Sequence, residues 1–90
     1  VIDRSIADEA GRLVSGERND QYGPPEVALL RIAGLWSGYL GFELDASDVA
    51  KMMMLLKLAR TMDGSYKRDS FVDGVAYLLI AEGLDNGSTD

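Results

Sequence analysis

Five consecutive large apolar residues, Met52, Met53, Met54, Leu55 and Leu56, set the tightest limit on how this chain folds. They fall inside a predicted helix, Ala46 to Met62, and leave it apolar around most of its circumference. Such a helix is central or covered on both sides, and four helices in a domain this small can hardly bury every face themselves. The expectation is an all-α chain, a compact bundle of four helices, assembled as a homo-oligomer.

The other three helices follow from spacing and from breaks. Ile2, Ile6, Ala10, Leu13 and Val14 recur at helical intervals with charges opposite them, so Asp3 to Ser15 reads as amphipathic. Gly16 ends it. Pro25 suits a first helical turn, with Glu26 complementing the dipole, and Pro25 to Leu40 forms the second helix. Gly34, Ser37, Gly38 and Gly41 make a small-residue strip there, which predicts close approach of another backbone. Asp45 and Asp48 resemble a capped start for the third helix. In the last helix, Asp69 to Leu84, the residues Phe71, Val72, Val75, Ala76, Leu78 and Leu79 are expected to face inward, with Gly83 helping to close it. One domain over 1–84 with a flexible tail over 85–90 follows, and Trp36 and Tyr39 belong to the core or an interface.

Ninety residues with 47% hydrophobic and 27% charged content fit one globular domain whose stability margin is thin. Cysteine and histidine are both absent, which removes disulfides, thiol nucleophiles, Cys/His zinc sites and imidazole bases together. A net charge of −6 argues against nucleic acid as a partner but leaves room for a small anion in a local basic cleft. No apolar stretch approaches the roughly 20 residues needed to span a bilayer, and the first residues do not read as a signal peptide. No membrane partner and a cytoplasmic location are therefore expected.

Core packing leaves one segment unexplained, the loop GERNDQYGPP from Gly16 to Pro25. A plain solvated connector would turn the chain with the same glycines and prolines. The stiff Tyr22-Gly23-Pro24-Pro25 run, however, presents an aromatic ring near Arg18 and Gln21, and a ring beside a guanidinium suits a nucleotide-like anion. Lys57 and Arg60 interrupt the apolar third helix on one face, while Asp69, Asp73 and Tyr77 step along the last helix at four-residue intervals. These stripes either pair with each other as ion pairs or floor a polar cleft, in which Lys57 and Arg60 meet phosphate and Asp69 and Asp73 hold those cations or Mg²⁺.

Four blocks carry a family resemblance: ERNDQYGPPE at 17–26, RIAGLWSGYLG at 31–41, DVAKMMMLLKLAR at 48–60 and DSFVDGVAYLLIA at 69–81. In these the chain resembles a family of small phage and prophage proteins of uncharacterised function. More distantly it is similar to the all-α nucleoside triphosphate pyrophosphohydrolases of the MazG type and to small nucleotide-modification-associated domains. That resemblance implies a helical, oligomeric, nucleotide-linked protein. MazG-type enzymes collect Mg²⁺ with an E-x-x-E motif on one helix and E-x-x-D on another. Here E-x-x-E is missing, and E-x-x-D occurs at Glu17–Asp20 in the loop and at Glu82–Asp85 where the last helix ends.

Binding a nucleotide or nucleotide-derived signal without hydrolysis, to counter a host defence, is thus the leading expectation, with Arg18, Gln21, Tyr22, Lys57 and Arg60 as contacts. A Mg²⁺-dependent pyrophosphohydrolase using Asp69, Asp73 and Asp48 or Glu17 is one alternative. An inhibitor docking on a host protein is the other.

Overall fold

The computed structural model describes residues 1–15 and 23–87, and among them the architecture is four helices with no strand. They are α1 (Ser5–Ser15), α2 (Pro25–Leu40), α3 (Ala46–Arg60) and α4 (Arg68–Asp85). Helices α3 and α4 form the principal antiparallel pair; α1 packs on α4 and α2 on α3.

Local chemistry fixes the helix ends. Asp3 accepts the backbone N–H of Ser5 at 2.9 Å and so begins α1 two residues later than the apolar spacing suggested. Asp45 and Asp48 form a reciprocal capping box, the Asp45 carboxylate accepting the Asp48 N–H at 2.8 Å and the Asp48 carboxylate accepting the Asp45 N–H at 3.0 Å. Gly41 closes α2 in the left-handed region at φ 80°, its N–H donating to the Ser37 carbonyl at 2.9 Å. Ser37 Oγ also accepts the Leu44 N–H at 2.8 Å, so it holds the α2–α3 connection. The third helix ends at Arg60, where Thr61 Oγ1 donates to the Leu58 carbonyl. The last helix runs through Gly83 to Asp85.

The core is narrow and built from small side chains. One cluster joins Leu29 and Ala33 of α2, Ala46, Val49 and Ala50 of α3, and Ile80 and Ala81 of α4. A second joins Ala10 of α1 to Val72 and Ala76 of α4. Six of the ten buried apolar residues described are alanine, and Val49 and Val72 are the largest side chains fully enclosed. Alanine brings helices close but contributes little buried area, so each enclosed methyl group counts.

The large apolar residues are outside. Phe71, Leu78 and Leu79, expected inward, are 44%, 50% and 43% exposed, because α4 turns Val72, Ala76 and Ile80 to the core instead. Trp36 packs half-buried against the core, whereas Tyr39 is 91% exposed. The Gly34 and Gly38 positions meet no neighbour within 4 Å of where a Cβ would sit, so no backbone among the described residues makes the expected close approach. The chain exposes 6533 Å², against roughly 5,200 Å² for a compact monomer of its mass.

Candidate functional site

A cleft of about 400 Å³ opens where the last turn of α1, the first turns of α2 and the middle of α4 converge. Gly23 holds φ 82° there, a left-handed angle that lets the chain turn into Pro24 without side-chain strain. Pro24 and Pro25 then fix the direction of α2, and the Val27 N–H donates to the Pro24 carbonyl at 3.1 Å. Both prolines stand in the cleft wall beside Ala28, Leu29 and Ile32 of the same helix. Leu13 and Val14 close the α1 side, and Ala76 and Ile80 the α4 side.

Three polar side chains enter this apolar surround: Lys57 from α3, and Asp73 and Tyr77 one turn apart on α4. Lys57 Nζ lies 3.1 Å from Asp73 Oδ2, with side-chain exposures of 20% and 36%. The pair sits where α3 and α4 run close, since a Cβ at Gly74 would be only 3.8 Å from the Lys57 Cβ. The Lys57 stem therefore packs against α4 while its ammonium reaches the cleft. The Tyr77 hydroxyl makes no hydrogen bond among the described residues. Together these groups offer a ligand one ammonium, one carboxylate and one hydroxyl inside otherwise apolar walls.

Of the residues singled out from the sequence, Lys57, Asp73 and Tyr77 come together and Arg60 and Asp69 do not. Arg60 is exposed in the last turn of α3 and Asp69 is exposed in the first turn of α4, and neither lines the cleft. The Asp69–Asp73 pair consequently does not converge on one point in the cleft, and Asp73 already faces a cation. No group of three or more acidic side chains able to hold a metal ion occurs among the described residues. Arg18, Gln21 and Tyr22 lie outside the described residues, as does Glu17.

Gly23, Pro24 and Pro25 of the loop singled out from the sequence stand in the cleft wall, but the rest of the wall is not marked there, because Leu13, Val14, Ala28 and Ile32 carry only the spacing of ordinary core positions. The charged ties that set the helices in place were missed too. Arg68 donates to Glu9 at 2.8 Å and to Ser5 Oγ at 3.1 Å, fastening α1 to α4 across some sixty residues of sequence. Glu9 in turn holds the guanidinium above its ordinary value. Asp85 pairs with Lys51 at 2.7 Å and accepts the buried Ser47 hydroxyl, tying the end of α4 to the start of α3. Those hydrogen bonds, Lys51 first and Ser47 second, lower the Asp85 carboxyl. At the α3–α4 turn, the Lys67 ammonium and then the Ser65 N–H lower Asp63 to about 2.

No helix among the described residues is long and apolar enough to cross a membrane. No solved structure matches the chain. It is 47% identical over 76 residues to the Gene 55 protein of Mycobacterium phage D29, covering 84% of this chain and 50% of that protein. It is 40% identical over 79 residues to the Gene 55 protein of Mycobacterium phage L5, covering 87% of this chain and 51% of the relative. The chain thus spans about half the length of these relatives. Residues 5–85 match the family described as Domain of unknown function (DUF6378), and the chain belongs to that family.

Proposed function

We propose that this DUF6378 chain binds a nucleotide or a nucleotide-derived signal in the cleft between α1, α2 and α4, and holds it without hydrolysis, so as to withdraw it from a host antiphage defence. The observation that carries the reading is the cleft itself: about 400 Å³, apolar walls, and the Lys57–Asp73 pair with Tyr77 as its polar groups. That volume and that mix of walls and few convergent polar groups are those of small-molecule sites. Leu13, Val14 and Gly23, the described cleft residues on either side of 16–22 in the sequence, all stand in the cleft wall. Arg18, Gln21 and Tyr22 of that segment are the proposed contacts, a guanidinium suiting phosphate and a ring suiting a base.

Binding is favoured over the MazG-like pyrophosphohydrolase because Asp73, the carboxylate that lines the cleft among the described residues, is matched by Lys57. The same reading includes assembly from more than one copy. A core of alanines under an exposed shell of leucine, methionine and aromatic side chains supports it, as does a radius of gyration of 13.8 Å, against about 12 Å for a compact chain of this length.

Isothermal titration against a panel of nucleotides and cyclic nucleotides tests the proposal. At least one member gives a dissociation constant at or below the micromolar range, and Arg18→Ala and Tyr22→Ala weaken it while the helical circular dichroism is kept. No heat with any member at about 100 µM protein rejects ligand binding. Pyrophosphate release with Mg²⁺, abolished by Asp73→Asn, would replace it with the hydrolase, and a host protein captured in place of any nucleotide would replace it with the inhibitor.

A further inference from the structure

We infer that the Lys57–Asp73 pair reads the base of the bound nucleotide by its hydrogen-bonding edge, and that the base it selects is guanine. This rests on the nucleotide reading above and assigns a role to its polar groups. Lys57 is the one cationic side chain lining the cleft among the described residues, and Asp73 already matches it at 3.1 Å. A phosphate placed on that ammonium would lie against the carboxylate, with like charges in contact between largely apolar walls. The pair is therefore a poor phosphate clamp, although the spacing of Lys57 and Arg60 along the sequence suggests one.

As a donor beside an acceptor, the pair suits a base. Asp73 turns Oδ2 toward Lys57, and its Oδ1 takes part in no hydrogen bond among the described residues. An ammonium and a carboxylate both keep spare donor and acceptor sites after pairing with each other. Side-chain exposures of 20% and 36% leave the two groups open to a ligand. Around them stand Pro24, Pro25, Ile32 and Ile80. The faces of a base are apolar and its edge is polar, so a base seated among such walls is read along the edge.

The common bases differ in what they show to this pair. Along its Watson–Crick edge guanine presents a carbonyl acceptor followed by two N–H donors. Its O6 takes the ammonium, while N1–H and the 2-amino group take both carboxylate oxygens. Adenine and cytosine present a donor beside an acceptor and fill only one carboxylate oxygen. Uracil places a single N–H between two carbonyls, so its second carbonyl would face the carboxylate. Charge-assisted hydrogen bonds are the strong ones, and an acceptor left unpaired in the cleft costs free energy, so guanine gains on both counts.

The test is isothermal titration of the full chain with guanine, hypoxanthine, adenine, cytosine and uracil nucleotides, each as monophosphate, triphosphate and cyclic monophosphate. In the phosphate form that binds, the guanine nucleotide should be tightest, and the hypoxanthine one, which lacks the 2-amino group, about ten-fold or more weaker. Equal affinity for these two, or a tighter hold on any other base, overturns the assignment and leaves the nucleotide reading standing; no binding by any member overturns both. Asp73→Asn exchanges an acceptor for a donor, so it should weaken guanine and favour xanthine, whose carbonyl stands where the 2-amino group was. A folded Asp73→Asn that binds guanine unchanged, or that weakens every base alike, overturns the assignment. Where that variant does not fold, the comparison of guanine with hypoxanthine on the native chain decides.

Discussion

Removing the Asp73 carboxylate as Asp73→Ala leaves the Lys57 side chain, four-fifths buried, with its ammonium lacking the partner at 3.1 Å. At that separation the gross attraction is about 5 kcal/mol with an effective dielectric near 20. Desolvation of both groups and the ordering of the lysine stem offset most of it. Exposed pairs keep at most about 1 kcal/mol, while breaking a fully buried pair costs about 3–5 kcal/mol. With side chains 20% and 36% exposed, the pair falls between these limits. A coupling of about 1–2 kcal/mol is expected, discounted from the buried limit for solvent at Asp73. The assay is a double-mutant cycle of Lys57→Met and Asp73→Ala by urea unfolding, read by circular dichroism at one fixed protomer concentration, because assembly makes stability concentration-dependent. Asp73→Ala alone should lower the melting temperature by roughly 5–15 °C, and the double variant should recover part of the loss. A coupling below about 0.3 kcal/mol would show that solvent screens the pair and that the floor of the cleft is not a fixed donor and acceptor.

Three further expectations follow from local geometry. Asp45→Ala removes half of the capping box and should cost about 1 kcal/mol in the same assay, with Asp45→Asn near neutral. Gly41→Ala places a Cβ at φ 80° and should cost about 1–2 kcal/mol, whereas Gly34→Ala, in open space within α2, should gain about 0.5–1 kcal/mol; a loss at Gly34 would show that strip to be covered by another chain. Asp63 should titrate near 2, as followed by its carboxyl carbon resonance, and return toward 3.8 in Lys67→Met. Because the folded value is the lower one, the stabilisation from this exposed contact is full above about pH 4 and fades as pH falls through 2; an unshifted midpoint near 3.8 contradicts the contact.

Helix number and most helix ends are legible in the sequence because they depend on neighbours a few residues apart. Asp45 and Asp48 announce a cap, Pro25 a first turn, and the apolar intervals a face. The direction of α4 is less legible. Phe71 and Val72 are adjacent and both apolar, and only the position of α1 and α3 decides that Val72 is buried and Phe71 is not. The Met52–Leu56 run announces a surplus of apolar surface, and the structure leaves Met52, Leu55 and Leu56 exposed while Met53 packs against the core. Within the site, Lys57, Asp73 and Tyr77 were legible as polar interruptions of apolar helices. Arg60 looked equivalent to Lys57 by spacing, yet it is exposed and does not line the cleft. The walls of the cleft were hidden because Ala28, Ile32, Leu13 and Val14 come from two helices whose packing no local pattern encodes. The Glu9–Arg68 and Lys51–Asp85 ties were hidden for the same reason.

The ligand site proposed is the cleft between α1, α2 and α4. Methyl and aromatic NMR shifts recorded during titration with the tightest-binding nucleotide locate the ligand. Perturbations should concentrate at Leu13, Ala28, Ile32, Ala76, Tyr77 and Ile80, and leave the outer face of α3 at Leu55 and Leu58 unchanged. Saturable binding whose shifts map to that outer face, with the cleft residues unmoved, would contradict the account.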